Sequence, residues 1–231
     1  MLSRAGLSAR RRVVITTALA LVAALVASGL LAARARGAGA STCDRFAAAS
    51  VQRAKQVTGS GERVVVIGDS WSAGLGLDRP VQSWPSRLPG RIHVAGFSGS
   101  GFSAHASPCG RVSFADRAPE ALSGGADLVV IEGGLNDFDR SRGEIKAGFA
   151  RVLRLASAYR VVVVGPATAP SRASAVPRVD RLLRHLSARA GVPYVSTADL
   201  DLPYLDDGLH LTAAGHETFG DAVAARIAVL G

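Results

Sequence analysis

The chain has 231 residues, 48% hydrophobic and 19% charged, the length of one domain and the composition of an ordinary globular one with an export segment attached. Its net charge of +9 suggests a polyanion partner, but residues 1–40 hold six arginines and no acid, leaving 21 basic against 18 acidic residues, or +3, in the rest. No basic stripe interleaved with aromatics follows, so nucleic acid is set aside as a partner.

Residues 1–40 read as a targeting segment outside the fold argument. Arg4 and Arg10 to Arg12 form a positive head, and Val13 to Ala33 an uncharged apolar run. That run exceeds the usual signal core of roughly 7–15 residues and is about long enough to span a bilayer. Ala38-Gly39-Ala40 offers a small-residue cleavage pattern before Ser41, so a cleaved signal and a membrane anchor through 13–33 both stand. Either puts the remainder outside the cytoplasm, secreted or at the cell surface. There the two cysteines, Cys43 and Cys109, are expected to form a disulfide, since exposed thiols oxidise outside the cell.

Cys43 to Lys55 predicts a short helix, and Thr58-Gly59-Ser60-Gly61 a flexible joint, so that residues 41–61 lead into a domain over 62–231. Strands are expected at 63–67, 91–95, 127–131, 160–164 and 193–195. Helices are expected near 81–88, 115–123, 142–158, 176–190 and 213–229. Near-continuous apolar strands such as Val161-Val162-Val163-Val164 indicate a parallel sheet covered on both faces. The alternation predicts a three-layer α/β/α sandwich with right-handed crossovers and a mainly parallel five-stranded sheet.

Four stretches carry chemistry. The strand Val64-Val65-Val66-Ile67 ends at Gly68, and Asp69-Ser70 follow at once, placing a hydroxyl where open α/β sheets present their ligand sites. Alone, such a serine is more often a turn residue. The far end changes that balance: Asp207 and His210 stand three apart in DDGLHLTAAGHETF, ahead of a helix opened by Thr212. A serine nucleophile needs a base, and the base a carboxylate to fix its tautomer. Between them, Val94 to Gly101 runs into a glycine-rich turn, and Asp127 to Asp137 is a strand followed by two glycines and an asparagine. Backbone N–H groups and an asparagine amide are the donors that acyl transfer aims at its oxyanion.

These blocks, Gly68-Asp69-Ser70, Gly96-Phe97-Ser98-Gly99, Gly134-Leu135-Asn136-Asp137 and Asp207-Gly208-Leu209-His210, resemble those of the SGNH/GDSL hydrolase family, in the same order from Val64 to His210. The resemblance implies a flavodoxin-like layout. It also implies Ser70 as nucleophile, His210 as base and Asp207 as its orienter. The oxyanion hole would be the N–H of Ser70, the N–H of Gly99 and the side chain of Asn136. Gly101 competes with Gly99, and Asp206 with Asp207.

Other residues carry plainer readings. His93 and His185 are expected to be structural or surface residues, and His216 a packing or capping residue. His105 follows the glycine turn, within reach of the pocket. Asp69 and Asp137 are expected to satisfy loop N–H groups. Trp71, Trp84 and Phe102 are candidates either for the acyl pocket or for the core. The five histidines lack metal-ligand spacing, and no metal or other cofactor is expected. The expected function is an exported serine esterase or lipase acting on a carboxylic ester of a lipid or acylated sugar, working as a monomer. An O-acyltransferase or carbohydrate deacetylase using the same site, and a non-catalytic exported binding protein, are the alternatives. An α/β-hydrolase is disfavoured because no Gly-x-Ser-x-Gly occurs.

Overall fold

A computed structural model of the chain describes residues 14, 21, 22, 24–28 and 41–230. Ala38-Gly39-Ala40 and most of the apolar run 13–33 lie outside the described residues. The chain divides into two compact units, Met1–Asp44 and Arg45–Gly231. In the first, residues 21, 22 and 24–28 are helical and exposed. Among the described residues no helix is long and apolar enough to cross a membrane. Cys43 and Cys109 are both disulfide-bonded.

The second unit is built on one sheet, whose strands are β1 (Arg63–Gly68), β2 (Arg91–Gly96), β3 (Leu128–Glu132), β4 (Arg160–Val164) and β5 (Tyr194–Val195). All pairings are parallel and the order is β2-β1-β3-β4-β5, the doubly wound order expected of a flavodoxin-like sandwich. Among the described residues the helices are α1 (41–54), which begins in the first unit, and α2 (Ser70–Ala73), α3 (Phe114–Ala121), α4 (Arg142–Leu155), α5 (Val176–Ala190) and α6 (Ala213–Ala228) of the second.

Strand alternation divides the core. Val64, Val66, Ile92, Val94, Val130 and Val164 face one side, where Trp71, Trp84 and Phe219 and Val223 of α6 cover them. Val65, Ile67, Val129, Ile131 and Val163 face the other, under Phe114 of α3, Phe149 of α4 and Leu183 of α5. Both faces of the central strands are therefore dry, which accounts for the unbroken valine runs. Capping fixes the helix starts. Ser113 and Asp116 form a reciprocal capping box on α3, and Ser141 and Glu144 another on α4.

One expectation is corrected. Residues 81–88 are not an α-helix but two short 3₁₀ turns, Pro80–Gln82 and Trp84–Arg87, each with a proline in its first turn. The second proline lies inside the expected helix and removes a backbone donor there. Trp71, Trp84 and Phe102, candidates for either pocket or core, are core, at 1%, 0% and 0% exposure. The joint before β1 is partly structured: Thr58 forms an antiparallel bridge to Ile92, accepting from its N–H at 2.8 Å.

His216 packs inside this core at 1% exposure, its Nδ1 accepting from the Trp84 N–H at 3.3 Å. Burial, helped by the charge of nearby His210, lowers its pKa from 6.5 to about 4. Between those values the unfolded chain takes up a proton that the folded protein refuses. Stability from the neutral ring is thus complete above pH 6.5 and lost as pH falls toward 4. His216→Asn, which keeps an acceptor for Trp84, should lose less stability than the native protein between about pH 7 and 4.5, by on the order of 2 kcal/mol in urea titrations. Equal losses would assign that pH dependence to other groups.

Candidate active site

The four sequence blocks converge at the carboxyl ends of β1, β2 and β3. Ser70 opens α2 directly after β1 and is 5% exposed. Its cap is Asp69, whose Oδ1 accepts from the Trp71 N–H at 2.9 Å. Ser70 Oγ lies 3.1 Å from His210 Nε2, and His210 Nδ1 lies 2.6 Å from Asp207 Oδ2. A carboxylate can only accept, so the imidazole proton sits on Nδ1 and Nε2 is left to accept from the serine hydroxyl.

The loop carrying the pair is a tight reversal. Tyr204 and Leu211 form an antiparallel bridge, and the Leu205 N–H donates to His210 O at 2.8 Å. Within it, Asp207 Oδ1 accepts from the N–H groups of Leu209 and His210 at 2.8 and 2.9 Å. Burial alone would raise the Asp207 carboxyl, but the bonds from the His210 ring and these N–H groups outweigh it and hold it at about 2. Asp206, the rival, is exposed. The indole N–H of Trp71 donates to Leu209 O at 3.0 Å, joining the residue after the serine to the histidine loop. That link was invisible in the sequence, because 138 positions separate the partners.

The glycine block forms a turn closed by the Ser100 N–H donating to Phe97 O at 3.1 Å. Gly99 occupies its third position at φ +81°, where a glycine is favoured, and an added Cβ there would meet only Ser107 Oγ, at an ordinary 3.7 Å. Gly101 is glycine for another reason: a Cβ there would fall 2.5 Å from Asp137 Oδ2. The turn position therefore belongs to Gly99. Asn136 stands in a 3₁₀ turn after β3, its amide donating to Ser100 O at 2.9 Å and to Asp69 Oδ2 at 3.3 Å. Asp137 accepts from the N–H groups of Phe102 and Ser103 at 2.9 and 2.8 Å, pinning the glycine block to the asparagine block.

Buried carboxyls surround the serine. Burial raises Asp69 to about 6 against the pull of the Trp71 N–H, His210 and Arg117. Burial likewise raises Asp137 to about 7, with Asp69 adding to the rise. Glu132, at the end of β3, is pushed well above the ordinary range by burial and then by Asp69, and accepts from the Ser72 hydroxyl at 2.7 Å. Neither Glu132 nor Ser72 stood out in the sequence. The other histidines lie apart from this chain of bonds. His93 contacts Arg63, and His105 is exposed and paired with Glu144 at 3.0 Å.

The profile of the GDSL-like lipase/acylhydrolase family matches residues 66–218, which hold all four blocks. The chain belongs to this family. Its reaction class is the hydrolysis of carboxylic esters. Among solved structures the chain resembles Est24, a carbohydrate acetylesterase from Sinorhizobium meliloti, with 23% identity and a TM-score of 0.61 over 74% of this chain and 100% of that one. It also resembles the aryl esterase of M. smegmatis, with 21% identity and a TM-score of 0.60 over 74% and 100%. A family two carbohydrate esterase from Clostridium thermocellum, solved with cellohexaose, matches at 18% identity and a TM-score of 0.59 over 75% and 65%. At these identities the likeness is one of fold. No curated protein matches the chain.

Asp207→Ala should lower kcat by about 10²–10⁴ on a p-nitrophenyl ester, because the imidazole loses the group that fixes its proton on Nδ1. Asp206→Ala should stay near the native rate. Reversed effects would show that the wrong aspartate has been chosen.

Proposed function

We propose that the protein is an exported serine esterase acting on carboxylic esters of acylated carbohydrates, through an acyl-enzyme on Ser70. The observation that carries this reading is the continuous chain Ser70 Oγ–His210–Asp207, with contacts of 3.1 and 2.6 Å across two loops distant in sequence. His210 Nε2 takes the proton as Ser70 attacks the ester carbonyl, and Asp207 balances the charge of the imidazolium. His210 then gives the proton to the leaving alcohol. Water, activated by the same nitrogen, releases the acid and regenerates Ser70.

The oxyanion is held by the N–H of Ser70, the N–H of Gly99 and the amide of Asn136. The Ser70 N–H lies in the first turn of α2, where a helix offers no intrahelical acceptor. Of the two Asn136 contacts, the 3.3 Å bond to Asp69 is the weaker, and its hydrogen is the one that turns to the oxyanion. Acylated carbohydrate is preferred to lipid because carbohydrate esterases recur among the similar structures. Export is supported by the arginine-headed apolar run and by the disulfide-bonded state of Cys43 and Cys109, which suits an oxidising compartment.

Ser70→Ala and His210→Ala should each lower kcat by about 10⁴–10⁶ on acetylated sugars and p-nitrophenyl acetate, with little further loss in the double variant. Neither group works without the other. A fluorophosphonate probe should label the native protein and not Ser70→Ala. Full rate and full labelling in Ser70→Ala would place the nucleophile elsewhere.

Asn136→Ala should lower kcat by roughly 10²–10³ and leave KM little changed, since its amide serves charge that exists only in the transition state. An unchanged kcat would remove Asn136 from the mechanism.

A further inference from the structure

The three proposed oxyanion donors come from three separate loops, yet one side chain from outside those loops ties them together. Arg117 projects from α3 to the carboxyl ends of β1 and β2. One amino group of its guanidinium donates to Gly68 O at 2.8 Å and to Ser100 Oγ at 2.9 Å. The other donates to Ala95 O, and Nε donates to Val112 O at 3.0 Å. These acceptors are placed with a pattern. Gly68 is the last residue of β1, two before Ser70. Ala95 is the last residue but one of β2, just before the turn that carries Gly99, and Ser100 follows Gly99 directly. Ser100 O in turn accepts from the Asn136 amide at 2.9 Å.

We propose that Arg117 is the positioning residue of the oxyanion hole, setting the spacing between the N–H of Ser70, the N–H of Gly99 and the amide of Asn136. The inference rests on the assignment of those three donors. A planar guanidinium with five N–H groups in a fixed fork reaches acceptors on two strand ends and a turn at once. A lysine ammonium keeps the charge but not that geometry. The charge matters as well. Asp69, which accepts the second Asn136 hydrogen until substrate takes it, and Arg117 attract one another, so the arginine favours the carboxylate that holds that hydrogen ready. Because the donors act only when charge develops on the substrate oxygen, loosening them should weaken transition-state binding and spare ground-state binding.

The test compares Arg117→Lys and Ser100→Ala with the native enzyme, reading kcat and KM on p-nitrophenyl acetate and the affinity for phenylboronic acid, whose serine adduct carries an oxygen in the oxyanion position. Arg117→Lys should lower kcat by about tenfold to a hundredfold, as displacement of catalytic groups by around an ångström does. KM should stay nearly constant and boronate affinity should weaken by a similar factor. Ser100→Ala should shift the same two quantities in the same direction by less. Where Arg117→Lys does not fold, by near-ultraviolet circular dichroism, Ser100→Ala decides. A folded Arg117→Lys, or failing that Ser100→Ala, with native kcat and native boronate affinity overturns the proposal. So does a loss of activity that follows thermal stability and disappears on cooling well below Tm. Asn136→Ala, run in parallel, separates the two levels. If it loses boronate affinity while Arg117→Lys does not, the arginine's role alone falls; if neither loses it, the donor assignment falls.

Discussion

The register of the parallel sheet is the constraint on which the rest depends. Gly68 pairs with Gly96 and Ile67 with Ile131, so β1, β2 and β3 end level with one another. Parallel strands level at their carboxyl ends send successive loops out of the same edge, which is how Ser70, Gly99 and Asn136 come within one site. The register is itself held by burial on both faces: sliding a strand by one residue would exchange its two dry faces and misplace every side chain on them. The geometry of the candidate site thus rests on apolar packing well away from it.

Around that edge the protein concentrates buried charge. Asp69, Asp137, Glu132 and Arg117 lie close together, and each has its proton affinity displaced in the direction burial dictates. Such groups are costly unless their hydrogen bonds are satisfied, and here each has specific partners: loop N–H groups for the aspartates, the Ser72 hydroxyl for Glu132, strand-end carbonyls for Arg117. The return on that cost is order. A network whose members all need one another has few alternative arrangements, and loops that would otherwise move are fixed beside the serine. The hydrogen-bonded contact of Asp207 with His210 is more open: the carboxylate side chain is 48% exposed and the imidazole 17%.

Much of this was legible in the residues. The strands fall within a residue or so of where unbroken valine and isoleucine runs place them, because burial on both faces leaves a local signature. The site blocks are legible because each is short and follows a strand end, so local sequence specifies both the residue type and its place. Asp207 and His210 were legible as a pair because a separation of three in a tight loop brings their side chains together. The helix expected over 81–88 failed for a local reason too: Pro85 breaks it into 3₁₀ turns.

What the sequence by itself determined is the set of chemical groups, their order, and the sheet that could carry them. What only the tertiary structure decided is which groups of the same kind meet. It brought the carboxylate of Asp207, its neighbour Asp206 being the rival, to His210 Nδ1. It gave Gly99 the turn and Gly101 the close approach to Asp137. It placed Trp71 in the core while aiming its indole N–H at the histidine loop, and it singled out Arg117 among the many arginines of the chain. The physical reason is common to all four. A residue's type and neighbours in sequence fix what it can donate, accept or bury, but a hydrogen bond of 3 Å between distant positions exists only once packing has brought the two ends together.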